Sequence, residues 1–173
     1  ELPDEAAPQA VFDYLAGEIF ERFPPETQQF LLRIACLQRT TAEVARSLSG
    51  EDKAARLLLN LAHNDYFVRE HVGEGGHVFQ LHPLLRDFLL NRAAAELPEA
   101  LGAPALRRAA ALLRQSGQVE DAVALLVESQ DWLELASVVA ELADTMLAQG
   151  RRETLAGWLE LLPPDLLEGA PRL

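Results

Sequence analysis

Cysteine, aromatic residues and positive charge are all scarce in this chain, and each scarcity removes a class of function. The one cysteine, Cys36, lies in an apolar helical run. A lone thiol forms no internal disulfide and no thiol-rich metal site, so Cys36 reads as a small core residue in a reducing compartment. Lysine and arginine number 15 against 27 aspartates and glutamates, a formal net charge of -12. So acidic a chain repels phosphate backbones, which makes free nucleic acid a poor partner and basic surfaces or apolar grooves better ones. No apolar run reaches the ~18 residues of a membrane span, and no signal peptide is visible; a cytoplasmic location is expected. Aromatic residues are 6% of the chain while apolar residues are 49%. The core must therefore be built mostly of leucine and alanine, which favours helices.

Catalytic motifs are lacking too. Neither G-x-x-x-x-G-K-[ST] nor G-x-G-x-x-G occurs. The Gly-rich stretch GEGG, residues 73–76, joins two strand-like runs and precedes no helix. It reads as a turn rather than a phosphate cradle. H-E-x-x-H is absent, and the histidines are His63, His71, His77 and His82. His71 and His77 flank the GEGG turn. Facing each other across it, they could hold zinc with Glu70 or Glu74, although solvated polar residues are the plainer reading. Ser47, Ser49, Ser116, Ser129 and Ser137 have no partner base that spacing identifies. The chain is expected to be non-catalytic, with no metal and no cofactor of its own.

What the chain does have is helical periodicity. Residues 8–23 place Val11, Phe12, Leu15, Ile19, Phe20 and Phe23 at steps of three and four. Pro24 and Pro25 end that helix and open the next, which carries Phe30, Leu31, Ile34 and Leu37 on one face. TTAEVARSLSG (40–50) is a third helix, with Thr40 or Thr41 as N-cap and Gly50 as the stop. EDKAARLLLNLAHND (51–65) is a fourth, with Leu57, Leu58, Leu61 and Ala62 inward. The period then shortens to two. YFVREHV (66–72) and HVFQLH (77–82) read as a β-hairpin whose turn draws positive φ from Gly73, Gly75 and Gly76. A closing helix runs from Pro83 to about Glu96, anchored by Leu84, Leu85, Phe88 and Leu89. Helices, one hairpin and a closing helix describe a winged-helix domain over 8–97.

LPEALGAP, 97–104, reads as a short linker. Beyond it the pattern is purely helical, over 104–116, 119–129, 131–149, 151–162 and 164–168. LLRQSGQVEDAVALL (112–126) aligns with TMLAQGRRETLAGWL (145–159) at an offset of 33. Gly117 falls on Gly150, Glu120 on Glu153 and Leu126 on Leu159. A helix, a Gly turn and a second helix at that period mark tetratricopeptide-like (TPR-like) hairpins, which stack because neither face can be buried alone. The expected architecture is mainly α: a winged-helix domain with one β-hairpin, then a TPR-like helical arm from 104 to 173. The chain opens on ELPDEAAPQ without methionine and ends on EGAPRL, so it reads as part of a longer protein.

His82 stands where the second strand hands over to the Pro83 helix. The amides of a helix's first turn and its dipole favour an anion, and an imidazole beside them adds a donor. One reading is a receiver for a phosphate that another domain brings. The other is a corner histidine bonded to backbone.

FVREHVGEGGHVFQLHPLLRDFLLNRAAAEL (67–97) resembles the end of the winged-helix domain in signal-transduction ATPases with numerous domains, the STAND class. Within it, the chain is similar to the large bacterial LuxR-type activators related to the maltose-operon activator. PPETQQFLLRIACLQRTTAEVARSLSG (24–50) resembles the helical part of the same domain, and the segments beyond 106 resemble the helical arm that follows it. The resemblance implies a fragment of a transcription regulator acting in signal transduction. Its winged helix would fold onto a nucleotide-binding domain of the same chain that binds ADP or ATP with Mg. It also implies that His82, through LHPLLRDFL, contacts the ADP phosphates and holds a resting state. Pro83 stands where many relatives have aspartate, so no carboxylate role is carried over. An inducer or protein ligand on the arm, and self-assembly on activation, belong to the same implied mechanism. Two other classes stay open: a TPR-like interaction scaffold without any nucleotide link, and a DNA-binding winged helix reading with 40–48 or 52–62. The second is poor in cations, Arg46 facing Glu43 and Arg69 facing Glu70 and Glu74.

Overall fold

The computed structural model describes residues 6–73 and 76–164, with side chains from Tyr14 onward. The inward placement of Val11 and Phe12, the turn residues Glu74 and Gly75, and the helix expected over 164–168 past its first residue lie outside the described residues.

Helix α1 (Ala6–Glu21) buries Ala16 and Phe20, while Leu15 is 51% exposed. Its inward line is thus displaced from the Leu15–Ile19 spacing. The cause is a packing pair: the Phe20 ring meets the edge of Phe88 at 5.7 Å, and the Arg92 guanidinium covers Phe20 at 5.1 Å. Helix α2 (Pro25–Ile34) opens on Pro25 and buries Phe30, Leu31, Leu32 and Ile34. Strand β1 (Arg39–Thr41) follows, then α3 (Ala42–Ser49). Thr41 is the cap of α3, its hydroxyl accepting the Val44 N–H at 3.2 Å. Thr40 is instead fully buried, paired with Phe79. Gly50 closes α3 at φ 75°, donating to the Arg46 carbonyl. Helix α4 (Ala54–His63) turns Leu57, Leu58 and Leu61 inward.

Strands β2 (Val68–Gly73) and β3 (Gly76–Leu81) form the hairpin, and β1 adds to it in the antiparallel order β1-β3-β2. Val68, Phe79 and Leu81 face the core. Gly76 takes the positive φ expected of the turn, 97°, and Gly73 does not. Helix α5 (Pro83–Glu96) then packs on α1 and α2 through Leu85, Leu89, Ala93 and Phe88.

The expected linker is not an extended tether. Pro98–Leu101 forms one 3-10 turn packed between α5 and the next helix, with Leu97 and Leu101 laid against the core. Helices α6 (Ala103–Gln115), α7 (Val119–Glu128), α8 (Trp132–Ala148) and α9 (Arg152–Glu160) stack as antiparallel neighbours. The ends of α6, α7 and α8 repeat one hydrogen-bond pattern. Gln118, Asp131 and Arg151 donate to Leu113, Leu126 and Met146, five residues back, at 2.8–2.9 Å. In each case the preceding residue, Gly117, Gln130 or Gly150, is left-handed.

The arm docks on the winged helix. Helix α6 packs on α3, and Arg108 donates to the Ser47 carbonyl at 2.6 Å. Arg39 of β1 pairs with Asp121 of α7 at 2.9 Å. One apolar cluster runs through both parts, from Phe20 and Leu89 to Leu113, Leu126 and Val139. Among the described residues, no helix is long and apolar enough to cross a membrane.

Candidate functional site

His82 is the N-cap of α5, in extended conformation at φ -61° and ψ 137°. Its amide donates to the Phe67 carbonyl at 2.8 Å, and its carbonyl accepts the Arg86 amide at 3.0 Å. The backbone is thus held from both sides. The side chain is exposed. Nδ1 accepts the Leu84 N–H at 3.3 Å, so the imidazole satisfies one of the unpaired donors of its own helix. With Nδ1 accepting, the neutral ring carries its proton on Nε2, which becomes its donor. The Phe67 ring meets the imidazole edge-on at 6.2 Å.

Around this residue lies an open pocket of about 390 Å3, lined by Asp65, Phe67, Arg69, Gln80, His82 and Pro83 among others. Two of these have unusual backbones: Asp65 at φ 53° and Phe67 at φ 57°. Asp65 ends α4, where the next amide, Tyr66, reaches back to Leu61. Phe67, a bulky aromatic in the left-handed region, is strained. Strain at that point turns the chain so that Phe67 can offer its carbonyl to His82 and Val68 can start β2. The hairpin spacing did not reveal this; the Asn64–Asp65 pair, a common turn dipeptide, was the available signal.

Register separates the two histidines that flank the hairpin turn. His71 pairs with Val78, and His77 pairs with Val72. Opposed residues share a face and successive ones alternate, so His71 and His77 lie on opposite faces of the hairpin. His71 bonds Gln80 at 3.2 Å, and His77 forms a short bond with Glu70. Among the described residues no cluster of three or more His, Cys, Asp or Glu could hold a metal. Cys36 is buried, and burial pushes its thiol up to about 12.

The two helices considered for reading DNA differ in access. Helix α3 packs against α6 of the arm on one side and leaves Glu43 and Arg46 exposed on the other. Helix α4 stands in the recognition position, after the α2–β1–α3 unit and before the hairpin. Its outward residues are Ala55, Arg56, Leu59, Asn60 and His63, with one arginine among them.

A family model of the MalT winged-helix domain matches residues 16–101. Those residues belong to the MalT winged-helix family. The match ends with the 3-10 turn after α5, so α6 to α9 lie outside it. Similarity to whole relatives extends further. The chain is 28% identical over 164 residues to the HTH-type transcriptional regulator MalT of Vibrio cholerae, covering 94% of the chain and 18% of that protein. It is 32% identical over 161 residues to the HTH-type transcriptional regulator AlkS of Pseudomonas putida, covering 92% of the chain and 18% of that protein. A third relative, MalT of Yersinia pestis, is 33% identical over 99 residues, 57% of the chain and 11% of that protein. The chain thus spans under a fifth of the length of the first two relatives. In this MalT-type domain, His82 caps the helix that closes the winged helix.

Proposed function

We propose that this chain is the restraining winged helix and the beginning of the sensor arm of a nucleotide-switched transcriptional activator. The observation that carries the reading is the exposed His82 imidazole, fixed at the N-cap of α5 in a MalT-type winged helix and opening on a pocket. A nucleotide-binding domain of the same protein would present ADP, and Nε2 of His82 would donate to a phosphate oxygen. The role of this chain is to place that donor: the Phe67 carbonyl and the first turn of α5 hold the backbone, and the Leu84 N–H selects the tautomer. ADP would favour the closed packing; ATP with Mg, and a ligand on the arm, would favour an open one able to self-assemble. Nucleotide chemistry would reside in the partner domain, so this chain performs no reaction.

The exposed surface supports this reading over duplex binding. Helix α3 packs against the arm and presents one exposed arginine, Arg46, beside the exposed Glu43, α4 presents one arginine outward, and the formal charge is -12.

His82→Ala in the longer protein tests the proposal, read by release of a fluorescent ADP analogue and by basal transcription. Faster release and raised basal transcription are expected. Unchanged values for both, with circular dichroism showing a folded variant, would overturn it.

A further inference from the structure

Helix α5 carries a second polar side chain that leaves the winged helix. Arg86 stands one turn after His82, its amide bonded to the His82 carbonyl. Its guanidinium donates to the Cys36 carbonyl at 2.9 Å and to the Glu128 carboxylate of α7 at 2.7 Å. One nitrogen, Nη2, therefore ties three elements: the turn after α2, the start of α5 and the last turn of the arm's second helix. Arg86 Nε is buried with no partner, and a buried donor left unpaired is a cost that an apolar side chain would avoid. Leu90, Leu101, Leu106 and Leu125 line a neighbouring cavity of about 130 Å3, so the surroundings suit an aliphatic chain well. An arginine kept there against that cost calls for a role other than stability.

We infer that Arg86 is a positioning residue for His82 and couples the arm to it through Glu128. This rests on the reading of His82 as a phosphate donor. The physical basis is short and rigid. One helical turn separates Arg86 from His82, bridged by the Arg86 amide on the His82 carbonyl, and α5 is held at its N-terminus by the Phe67 carbonyl. A shift of α7 pulls on Glu128, hence on the guanidinium, hence on the first turn of α5 that sets the imidazole. Glu128 is the half of the pair that can be altered gently, since its side chain is 52% exposed against 14% for Arg86.

The test uses the longer protein, with release of the fluorescent ADP analogue as the readout. Glu128→Gln, which keeps the shape of the side chain, is expected to speed release about fivefold, at the low end of coupling between sites. Arg86→Lys, which keeps a cation near Glu128 on a shorter and less rigid side chain, is expected to speed release less than Glu128→Gln. The deciding comparison is made in a His82→Ala background. If Arg86 acts through His82, Glu128→Gln there adds no further acceleration. An additive effect, or no effect in the otherwise unaltered protein, overturns the positioning role and leaves the His82 reading intact. No effect of His82→Ala alone overturns both.

Discussion

Gln130 holds at the end of α7 the same left-handed position that Gly117 holds at the end of α6, with φ of 56° and 79°. Both residues precede an amide that bonds five residues back. Only glycine enters this region without a Cβ penalty. Gln130 is exposed and has no turn glycine's freedom, so Gln130→Gly is expected to stabilise the chain by about 0.5–1 kcal/mol. The converse holds at Gly117 and Gly150, where a Cβ would meet nothing within 4 Å and only the backbone conformation resists. Gly117→Ala and Gly150→Ala should each destabilise by about 1 kcal/mol. Urea unfolding of the three variants measures these shifts; a destabilised Gln130→Gly would refute the account.

The shared apolar cluster predicts one unfolding transition for the winged helix and the arm. Leu89 of α5 and Leu126 of α7 are both fully buried in it. Alanine at either site should cost about 2–5 kcal/mol. The decisive measurement is calorimetry: each variant should lower a single Tm, and two separable transitions would show that the arm unfolds by itself.

Asp131 predicts a pH dependence. The Arg107 guanidinium bonded to it holds its carboxyl below the usual 3.8, against an opposing effect of burial. A depressed folded value stabilises the chain above the unfolded value, and that contribution is lost as pH falls through the folded one. Asp131→Asn keeps an acceptor for the Glu134 amide at the start of α8 but removes the charge. Its stability deficit should be constant from neutral pH down to about pH 5 and shrink below the ordinary carboxylate range. Denaturation at pH 7 and pH 3 checks this; an equal deficit at both would contradict it.

Burial pushes the Cys36 thiol from 9.0 to about 12. At pH 8 the folded chain should then hold about a thousandfold less thiolate than the unfolded chain. Iodoacetamide should label Cys36 slowly in the native protein and rapidly in denaturant. Equal rates would show an open route to the thiol.

Duplex DNA should bind this chain weakly and without the steep salt dependence that several phosphate contacts produce. Fluorescence anisotropy at low and moderate salt measures it. Strong binding lost on raising salt would restore the DNA-reading class.

Much of this molecule was legible in one dimension because its signals are local. Thr41 and Gly50 delimit α3 through bonds within a turn of themselves, and Gly117 and Gly150 announce two helix ends by their type alone. Asp131 and Gln130 do the same work at the third boundary with ordinary residues, and there the repeat blurs. Which face of the hairpin His71 and His77 would each occupy was not legible, because one residue of register moves a side chain to the other face.

The order of the helices, the hairpin and the position of His82 at a helix mouth were determined by the sequence itself. Periodicity, capping residues and proline act over a few residues, and a reader of the chain meets them in order. Tertiary structure alone decided that Arg39–Thr41 would become a third strand, that α3 would pack against the arm, and that Arg86 would reach Glu128. Each of these joins residues dozens of positions apart, and such contacts exist only once burial has brought the surfaces together.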